Sequence, residues 1–338
     1  MKKILLIATG GTIASSESAD GLAPTFDASQ LLSCMPEIEN LCHVDGISIM
    51  SIDSTNITPQ LMAKTAESIH SHYHDYDGFV VTHGTDTMGY TAAALSYMLK
   101  NIKKPVVITG SQIAIEALYT DAKKNISDAI LFALEDIAGI FVAFDGRIIN
   151  GTRAVKLKTR STDAFSSVNF PTIARIKLGR ITYNNALNYS GHGEVLDADP
   201  SRPFTLNTNL CEDIFVLKIH PGLKPEIFDF IKKQYKGVII ESFGIGGIPN
   251  QTPDLVSKLE ELIQAGVAIV ISTQCLEEGI DLSIYEVGQK LAKHNVISAG
   301  DMTTEAVSCK LMWALGNFKN ISDVKYFIET PLFGDRTF

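Results

Sequence analysis

Short runs of β-branched and other apolar residues alternate along the chain with segments whose apolar residues recur at helical spacing. The apolar runs predict strands over residues 4–8, 46–52, 79–82, 106–109, 140–144, 214–219, 238–241 and 267–272. The segments between several of these runs predict helices over residues 59–70, 87–99, 121–135, 225–233 and 253–265. Strands that are apolar on both faces and separated by helices indicate an α/β fold, in which helices cover both faces of a buried parallel sheet.

A polar segment interrupts this alternation at residues 184–213. It contains the stretches SGHG at 190–193, DADP at 197–200 and NTN at 207–209, and it has few apolar residues. Such a composition is typical of a linker with little regular structure. We therefore predict an N-terminal α/β domain over residues 1–183, a linker over 184–213 and a smaller α/β domain over 214–338. The length of 338 residues agrees with two domains of ordinary size.

The charge balance and the lengths of the apolar runs argue against several classes of partner. The chain has 29 lysines and arginines against 38 aspartates and glutamates, a net charge of −9, and no basic block, so it attracts nucleic acid poorly. The apolar run at the N-terminus stops at Thr9, too early for a signal peptide, and no run reaches the roughly 18 residues of a membrane span. We predict a cytoplasmic protein that binds neither nucleic acid nor membrane.

The cysteines and histidines indicate neither a disulfide framework nor a metal site. Five cysteines are scattered through the chain, and no CxxC pair occurs. His70 and His74 have the spacing of one helix face, but their polar neighbours indicate an exposed helix end rather than metal ligands. Cys275 follows a predicted strand, where we expect a buried apolar thiol. The prediction is therefore a protein without a bound metal.

Small polar residues and glycines follow four of the predicted strands. The segments are TGGTIA at 9–14, DSTN at 53–56, THGTDT at 82–87 and TGSQ at 109–112. Each segment by itself is explained by a tight turn or a helix cap, and the first is neither a dinucleotide-binding GxGxxG fingerprint nor a Walker loop. Because ligands bind beyond the carboxyl ends of parallel strands, the four segments together predict a pocket for a small zwitterion.

Threonine recurs in these segments, and its hydroxyl is a poor nucleophile until a base or a charge network activates it. No serine, histidine and aspartate stand at the spacing of a catalytic triad. A lysine beside an aspartate and a hydroxyl provides such activation, because a partly buried lysine can give up its proton near neutral pH. The stretch RAVK at 153–156 is one candidate source, although composition alone does not distinguish Lys156 from the other lysines.

Two of these segments also resemble the signatures of a known family. The sequence TGGTI at 9–13, followed by HGTDTM at 83–88, is similar to the asparaginase/glutaminase family, and most similar to its cytoplasmic, bacterial type I branch. The similarity extends through TGSQ at 109–112, DAF at 163–165 and AGDMT at 299–303, so it covers essentially the whole chain. It implies an oligomeric amidohydrolase, a homodimer or homotetramer, that converts the amino acid L-asparagine to L-aspartate and ammonia without a cofactor.

The resemblance also implies roles for individual residues. Thr12 corresponds to the nucleophile that forms an acyl-enzyme, while Lys156 and Asp86 correspond to the pair that tunes the hydroxyl of Thr85. Substrate-binding positions that the resemblance implies are Gly11, Asp53, Ser54, Thr55, Thr85, Asp86, Ser111 and Glu286. Of these, Glu286 corresponds to an acidic residue that meets the substrate ammonium from a neighbouring subunit; the alternative is a carboxylate on a solvated helix face.

Two positions depart from the family pattern. The stretch DGLAP at 20–24 has Leu22 where the family usually carries a tyrosine that assists the nucleophile, and leucine forms no hydrogen bond. Some type I relatives also bind asparagine at an activating site through a basic residue, where this chain has Glu241. Because a carboxylate repels the carboxylate of the effector, we expect weak or absent activation by asparagine.

Two alternatives to a free-standing asparaginase are open at this point. One is the asparaginase-like, ammonia-producing subunit of a tRNA-dependent amidotransferase. Those subunits carry a further domain ahead of the glycine-threonine loop, whereas the loop here begins at residue 9, so we expect the enzyme that acts by itself. The other alternative is a non-catalytic amino-acid-binding module, which needs the pocket but has no use for Lys156.

Overall fold

A computed structural model of the chain describes residues 1–18, 21–186, 202–284 and 295–337. The chain divides into two units, Met1–Thr208 and Asn209–Phe338. Residues 187–201 of the predicted linker lie outside the described residues, so the linker boundaries stay a prediction. In the described ranges, no helix has both the length and the apolar character that crossing a bilayer requires.

The first unit is built around an eight-stranded sheet. Its described strands, including short pairs outside this sheet, are β1 (Lys3–Gly10), β2 (Ser15–Ser18), β3 (Gly21–Pro24), β4 (His43–Ile52), β5 (Gly78–Thr82), β6 (Leu99–Lys100), β7 (Pro105–Thr109), β8 (Gly139–Phe144), β9 (Arg147–Asn150), β10 (Ala154–Lys156), β11 (Phe165–Ser167), β12 (Ala174–Lys177), β13 (Arg180–Tyr183) and β14 (Thr205–Leu206). The spatial order is β13-β12-β9-β8-β7-β5-β1-β4.

The sheet is parallel in one part and antiparallel in the other. Strands β4, β1, β5, β7 and β8 run parallel, which confirms the predicted buried parallel sheet. Strands β9, β12 and β13 extend it in antiparallel pairing, which was not predicted. The reason is that β12 and β13 are only 4 residues long and place charged or polar residues on alternate exposed positions, so they form no apolar run.

Helices cover both faces of this sheet, as the pattern predicted. They are α1 (Ala28–Ser33), α2 (Pro59–Ser71), α3 (Met88–Met98) and α4 (Ala122–Ala133), with short 3-10 turns at Thr12–Ala14, Pro36–Asn40 and Ser54–Asn56. Helices α1 and α4 pack on the face that presents Ile4 and Leu6. Helices α2 and α3 contact each other and the sheet, and all of α3 except Tyr90 is buried. A helix enclosed in this way needs no polar face.

The second unit is a smaller sheet of four parallel strands, which confirms the predicted smaller α/β domain. Its described elements are β15 (Ile214–Lys218), α5 (Glu226–Gln234), β16 (Gly237–Ser242), α6 (Leu255–Gln264), β17 (Ala268–Thr273), β18 (Ile297–Ser298), α7 (Thr304–Asn317) and α8 (Ile321–Glu329). Alternate residues of each strand enter two cores. Val238 and Ile240 pack with α5 and α6, whereas Ile239 packs with α7 and α8.

Candidate active site

The loops that follow β1, β4 and β5 touch one another at the carboxyl edge of the parallel strands. Gly11 has φ +81°, and a Cβ atom placed on it lies only 2.4 Å from the Cα of Gly84. A Cβ on Gly84 in turn lies 2.6 Å from the Oγ of Ser54. Glycine is required at both positions because any side chain clashes with a neighbouring loop. The structure therefore brings together three of the four segments that the sequence marked as a pocket.

Thr85, Asp86 and Lys156 form one hydrogen-bonded group. The Lys156 Nζ donates to Thr85 Oγ1 at 2.7 Å and to Asp86 Oδ1 at 2.7 Å. Lys156 ends β10, and its side chain is 17% exposed, whereas that of Asp86 is 54% exposed. Thr85 is buried. A cation thus lies within hydrogen-bond distance of a buried hydroxyl, the arrangement by which a lysine activates or orients an alcohol.

Thr12 begins a short 3-10 turn directly after Gly11 and is partly exposed. Two hydrogen bonds hold the loop: Gly11 N donates to the carbonyl of Ile52 at 2.9 Å, and Ser15 Oγ donates to the carbonyl of Gly11 at 2.9 Å. Because Gly11 lies against Gly84, the loops that carry Thr12 and Thr85 are in direct contact. The two threonines therefore lie on adjacent loops at the carboxyl edge of the parallel strands.

Asp53, Ser54 and Thr55 form the third loop of the site. Asp53 caps the turn Ser54–Asn56, since its Oδ1 accepts from the Thr55 amide at 2.8 Å and from the Thr55 hydroxyl at 2.9 Å. Ser54 is buried, and its Oγ accepts from the amide of Asp86 at 3.2 Å. Ser54 therefore joins this loop to the Thr85 loop, and Asp53 and Thr55 are exposed at its outer side.

The fourth segment, after β7, contacts the group through Gln112, which is not among the substrate-binding positions that the resemblance implies. Ser111 is buried and donates to the carbonyl of Ile113 at 2.6 Å, so its hydroxyl serves the loop itself. The neighbouring Gln112 accepts a hydrogen bond from Thr85 Oγ1 through its Oε1 at 3.2 Å. Two signals marked Gln112: the polar segment TGSQ follows a strand, and that segment resembles the family. Both signals applied equally to Ser111.

His83 stiffens the Thr85 loop from inside the protein. Its Nδ1 lies 2.7 Å from the carbonyl of Gly84, and its Nε2 lies 2.9 Å from Thr91 Oγ1. The carbonyl can only accept, so Nδ1 carries the proton and Nε2 accepts from the threonine. Burial lowers the pKa of His83 to about 4, because it disfavours the charged ring. His83 is therefore a neutral structural residue near neutral pH.

The sequence also singled out Glu286, Leu22, Glu241 and Cys275. Glu286 lies outside the described residues, and for Leu22 the structure gives the backbone position, in β3 opposite Glu17 of β2. Glu241, in the second unit, accepts a hydrogen bond from the Thr304 hydroxyl at 2.7 Å. Cys275 follows β17, as expected, but it is exposed, so the expectation of a buried thiol was wrong: the loop after the strand leaves this side chain in solvent.

Among the described residues, no three histidine, cysteine, aspartate or glutamate side chains are grouped so that they could hold a metal ion. His70 and His74 occupy an exposed helix end, as their polar neighbours indicated. Their rings contact aromatic residues of the same unit. The His70 ring centroid lies 5.3 Å from that of Phe204, and the His74 centroid lies 5.5 Å from that of Tyr73.

Two family profiles match the chain, one in each unit. Residues 3–189 match the profile described as the N-terminal domain of asparaginase. Residues 213–327 match the profile described as the glutaminase/asparaginase C-terminal domain. Together the two matches cover most of the chain, in the order of its two sheets.

Named proteins with similar sequences fall into two groups. An L-asparaginase of Thermococcus kodakarensis is 35% identical over 336 residues, which are 99% of both chains. One subunit of the glutamyl-tRNA(Gln) amidotransferase of Methanosphaera stadtmanae is 33% identical over 99% of this chain and 76% of that subunit. Among solved structures, the thermostable L-asparaginase of Thermococcus kodakarensis superposes with a TM-score of 0.90 at 33% identity, over 99% of both chains.

Proposed function

This chain belongs to the asparaginase/glutaminase family of amidohydrolases, and from that premise we propose that it is an L-asparaginase that works through a threonine acyl-enzyme. The observation that carries the proposal is the pair of hydrogen bonds from Lys156 Nζ, at 2.7 Å to Thr85 and 2.7 Å to Asp86, beside the loop that carries Thr12. An amino-acid-binding module gains nothing from a lysine placed against a buried hydroxyl, whereas a hydrolase uses it to control a proton.

The loop of Asp53 and Ser54 supplies the groups that hold the substrate in this proposal. Ser54 Oγ already accepts from the Asp86 amide, so its own proton is available to the α-carboxylate of asparagine. The cap of Asp53 engages Oδ1, and we assign the remaining oxygen, Oδ2, to the substrate ammonium, together with Glu286 of a neighbouring subunit. Such opposed charges orient the zwitterion and leave its side-chain amide toward the threonines.

In the proposed reaction, the hydroxyl oxygen of Thr12 attacks the side-chain amide carbon of asparagine. The tetrahedral intermediate loses ammonia, which leaves an aspartyl ester on Thr12, and water then hydrolyses that ester. We assign the oxyanion to the backbone amides of Thr12 and Thr85, each worth on the order of 3 kcal/mol of barrier. Lys156 and Asp86 keep the hydroxyl of Thr85 oriented, so that it relays protons to and from the reacting atoms.

The same proposal includes the setting in which the enzyme works. A site completed by Glu286 of a neighbour requires a homodimer or a homotetramer. All five cysteines are free, which agrees with a reducing, cytoplasmic location. Glu241 carries a carboxylate and not a basic group, so the rate is expected to depend hyperbolically on asparagine concentration; a sigmoidal curve would contradict this.

The second candidate function is the asparaginase-like subunit of a tRNA-dependent amidotransferase. Its support is the 33% identity with the glutamyl-tRNA(Gln) amidotransferase subunit of Methanosphaera stadtmanae. The two functions differ in what the purified chain does alone. An L-asparaginase releases ammonia rapidly from free asparagine, whereas the amidotransferase subunit depends on its partner and on charged tRNA for efficient turnover.

The test is ammonia release from asparagine and glutamine by the parent and by three variants, Thr12→Ala, Thr85→Ala and Lys156→Met. Each substitution is expected to lower kcat by at least about 100-fold, because each removes a nucleophile or a group that moves a proton. Lys319→Met, which changes an exposed lysine of the second unit, is the matched control and should keep the parent rate.

The acyl-enzyme is tested by acid quench during turnover of the Thr85→Ala variant, followed by mass spectrometry of the peptide that contains Thr12. A gain of one aspartyl group on that peptide supports the mechanism. A Thr12→Ala variant with the parent rate overturns it. A parent that binds asparagine in calorimetry but releases no ammonia shows a binding module instead.

A further inference from the structure

Gln112 connects the hydroxyl of Thr85 to the segment that follows Lys156. Its Oε1 accepts from Thr85 Oγ1 at 3.2 Å, while its Nε2 lies 3.2 Å from the carbonyl of Ser161 and 3.4 Å from that of Lys158. Its backbone is held as well, because the Gln112 amide donates to Asp121 Oδ2 at 3.0 Å. Both ends of this side chain are therefore occupied.

The direction of these hydrogen bonds follows from the chemistry of the partners. Backbone carbonyls only accept, so the end of the amide that faces Ser161 and Lys158 must be the NH2 group. The opposite end, which faces Thr85, must then be the carbonyl oxygen. A carbonyl oxygen accepts only, and the proton of the Thr85 hydroxyl consequently points to Gln112.

This orientation of the Thr85 proton is compatible with protonated Lys156 but not with a neutral Lys156 that accepts from Thr85. When Lys156 is protonated, its Nζ donates to Thr85 Oγ1, and the Thr85 hydroxyl can keep its own hydrogen bond to Gln112. When Lys156 is neutral and turns its lone pair to the threonine, it needs the same proton, and the bond to Gln112 must break. Gln112 therefore favours the arrangement with a protonated lysine.

We propose that Gln112 is a positioning residue that sets the pH at which Thr85 can pass its proton to Lys156. The inference rests on the proposed function, since it concerns the threonine–lysine pair of that reaction. It extends the function by adding a side chain that acts through Thr85 and that is not among the site residues implied by the resemblance. Gln112 holds the hydroxyl in its resting orientation and releases it when the lysine loses its proton.

Other charged groups near the pair define what the experiment must hold constant. Asp86 bonds Lys156 directly, and Asp121 bonds the backbone of Gln112. On the segment after β10, Lys158 and Asp163 form an ion pair with each other. Arg147 donates to the carbonyl of Phe165, which lies opposite Lys156 in the pairing of β10 with β11. Arg153 precedes β10. Helix α3, which contacts β10, carries no charged side chain. All of these residues stay unchanged in the Gln112 variants.

Two substitutions at Gln112 are expected to act in opposite directions. Gln112→Met keeps the length of the side chain and removes the acceptor. The Thr85 hydroxyl is then free to donate to a neutral Lys156, so the neutral form of the lysine is favoured more than in the parent. Gln112→Glu offers Thr85 a stronger acceptor and adds a negative charge near Lys156, so the protonated lysine is favoured further. Gln264→Met, at the exposed end of α6, is the matched control.

The first measurement follows Lys156 itself by NMR of the 13Cε signal in lysine-labelled protein, assigned with the Lys156→Arg variant. The titration midpoint of this signal should move to lower pH in Gln112→Met by roughly half to one pH unit, the effect of losing one ordinary hydrogen bond from one protonation state. It should move to higher pH in Gln112→Glu. A midpoint that stays in place in Gln112→Met overturns the proposal.

The second measurement is the pH profile of kcat/KM for asparagine. Its acidic limb should move in the same directions as the NMR midpoints, and the Gln264→Met control should match the parent. A merely structural role instead lowers kcat/KM at all pH values without moving the limb, which also overturns the proposal. If the parent releases no ammonia, the proposed function fails, while the NMR titration still decides the assignment of Gln112.

Discussion

At the residue scale, the candidate site depends on one buried histidine that takes no part in the proposed chemistry. His83 fills the space behind the Thr85 loop and fixes the backbone of Gly84 through its Nδ1 proton. The carbonyl of His83 in turn lies where a side chain on Gly110 cannot fit, since a Cβ there is 2.3 Å from it. The loops after β5 and β7 are therefore packed against each other through this residue.

His83 should make the stability of the protein depend on pH below neutrality. Burial holds the pKa of His83 at about 4 in the folded chain, from an ordinary value of 6.5. Between these values the unfolded chain binds a proton that the folded chain does not. The stabilising contribution is therefore complete above pH 6.5 and lost as the pH falls to 4, a change of roughly 3 kcal/mol in the free energy of unfolding.

Urea denaturation of the parent and of His83→Gln, at several pH values between 7 and 4, measures this contribution. The parent should lose more stability over this range than His83→Gln, by roughly 3 kcal/mol. His220→Gln, at an exposed histidine of the second unit, should follow the parent curve. Equal slopes for the parent and His83→Gln would show that the buried ring does not titrate as expected.

The sequence supplied Thr12, Thr85 and Asp86 because each lies in a marked loop next to a predicted strand. Lys156 could be chosen only by resemblance, since it ends a strand of 3 residues that has no apolar run of its own. Gln112 also lies in a marked segment, but nothing in that segment distinguished it from Ser111. The contacts of Gln112 reach Thr85 and the carbonyls of Lys158 and Ser161, and such distant partners are fixed by how the chain folds and not by local pattern.

At the scale of elements, the apolar runs located the parallel strands and their covering helices because burial on both faces leaves a continuous apolar signature. The antiparallel strands β12 and β13 were not predicted, because one side of each is exposed and polar and the apolar residues do not form a continuous run. The C-terminal segment after α8 was not predicted either. It is too short to show a helical or strand period, and yet Asp335 and Arg336 are buried. The segment is attached to the rest of the unit by an ion pair, which a pattern of apolar residues cannot reveal.

A buried ion pair fastens this C-terminal segment to α7. Lys310 Nζ lies 2.7 Å from Asp335 Oδ2, with both side chains 0% exposed, and it also donates to the carbonyl of Thr330 at 2.7 Å. Lys310→Met should destabilise the second unit by about 3–5 kcal/mol, because it leaves a carboxylate buried without its partner. The loss should be visible in chemical denaturation and in early hydrogen exchange of α7.

Removing both charges distinguishes two contributions to the free energy of unfolding: the destabilisation caused by an unpaired buried carboxylate and the stabilisation provided by the ion pair. The double variant Lys310→Met with Asp335→Leu should recover much of the stability lost in the single variant, since the Asp335 carboxylate is then no longer buried without Lys310. Lys232→Met breaks an exposed pair with Glu261 and should cost at most about 1 kcal/mol. A double variant that is less stable than Lys310→Met would contradict this account.

At the scale of the whole molecule, family membership accounts for both units, but the proposed active site also needs a second copy of the chain. The loops of the first unit supply Thr12, Thr85, Lys156 and the Asp53 segment. The resemblance assigns the last substrate contact, to the ammonium group, to Glu286 of a neighbour. Residue 286 lies outside the described residues, so this assignment is a prediction about assembly and is tested by assembly.

Hybrid dimers distinguish a shared site from a self-contained one. Thr85→Ala and Glu286→Gln should each be inactive alone. In a hybrid purified through two different tags, the Glu286→Gln subunit keeps its own Thr85 and receives an intact Glu286 from the Thr85→Ala subunit. One of two sites is then complete, and the hybrid should show about half of the parent activity per dimer. If Glu286 serves its own subunit, both sites are defective and the hybrid stays as inactive as the single variants.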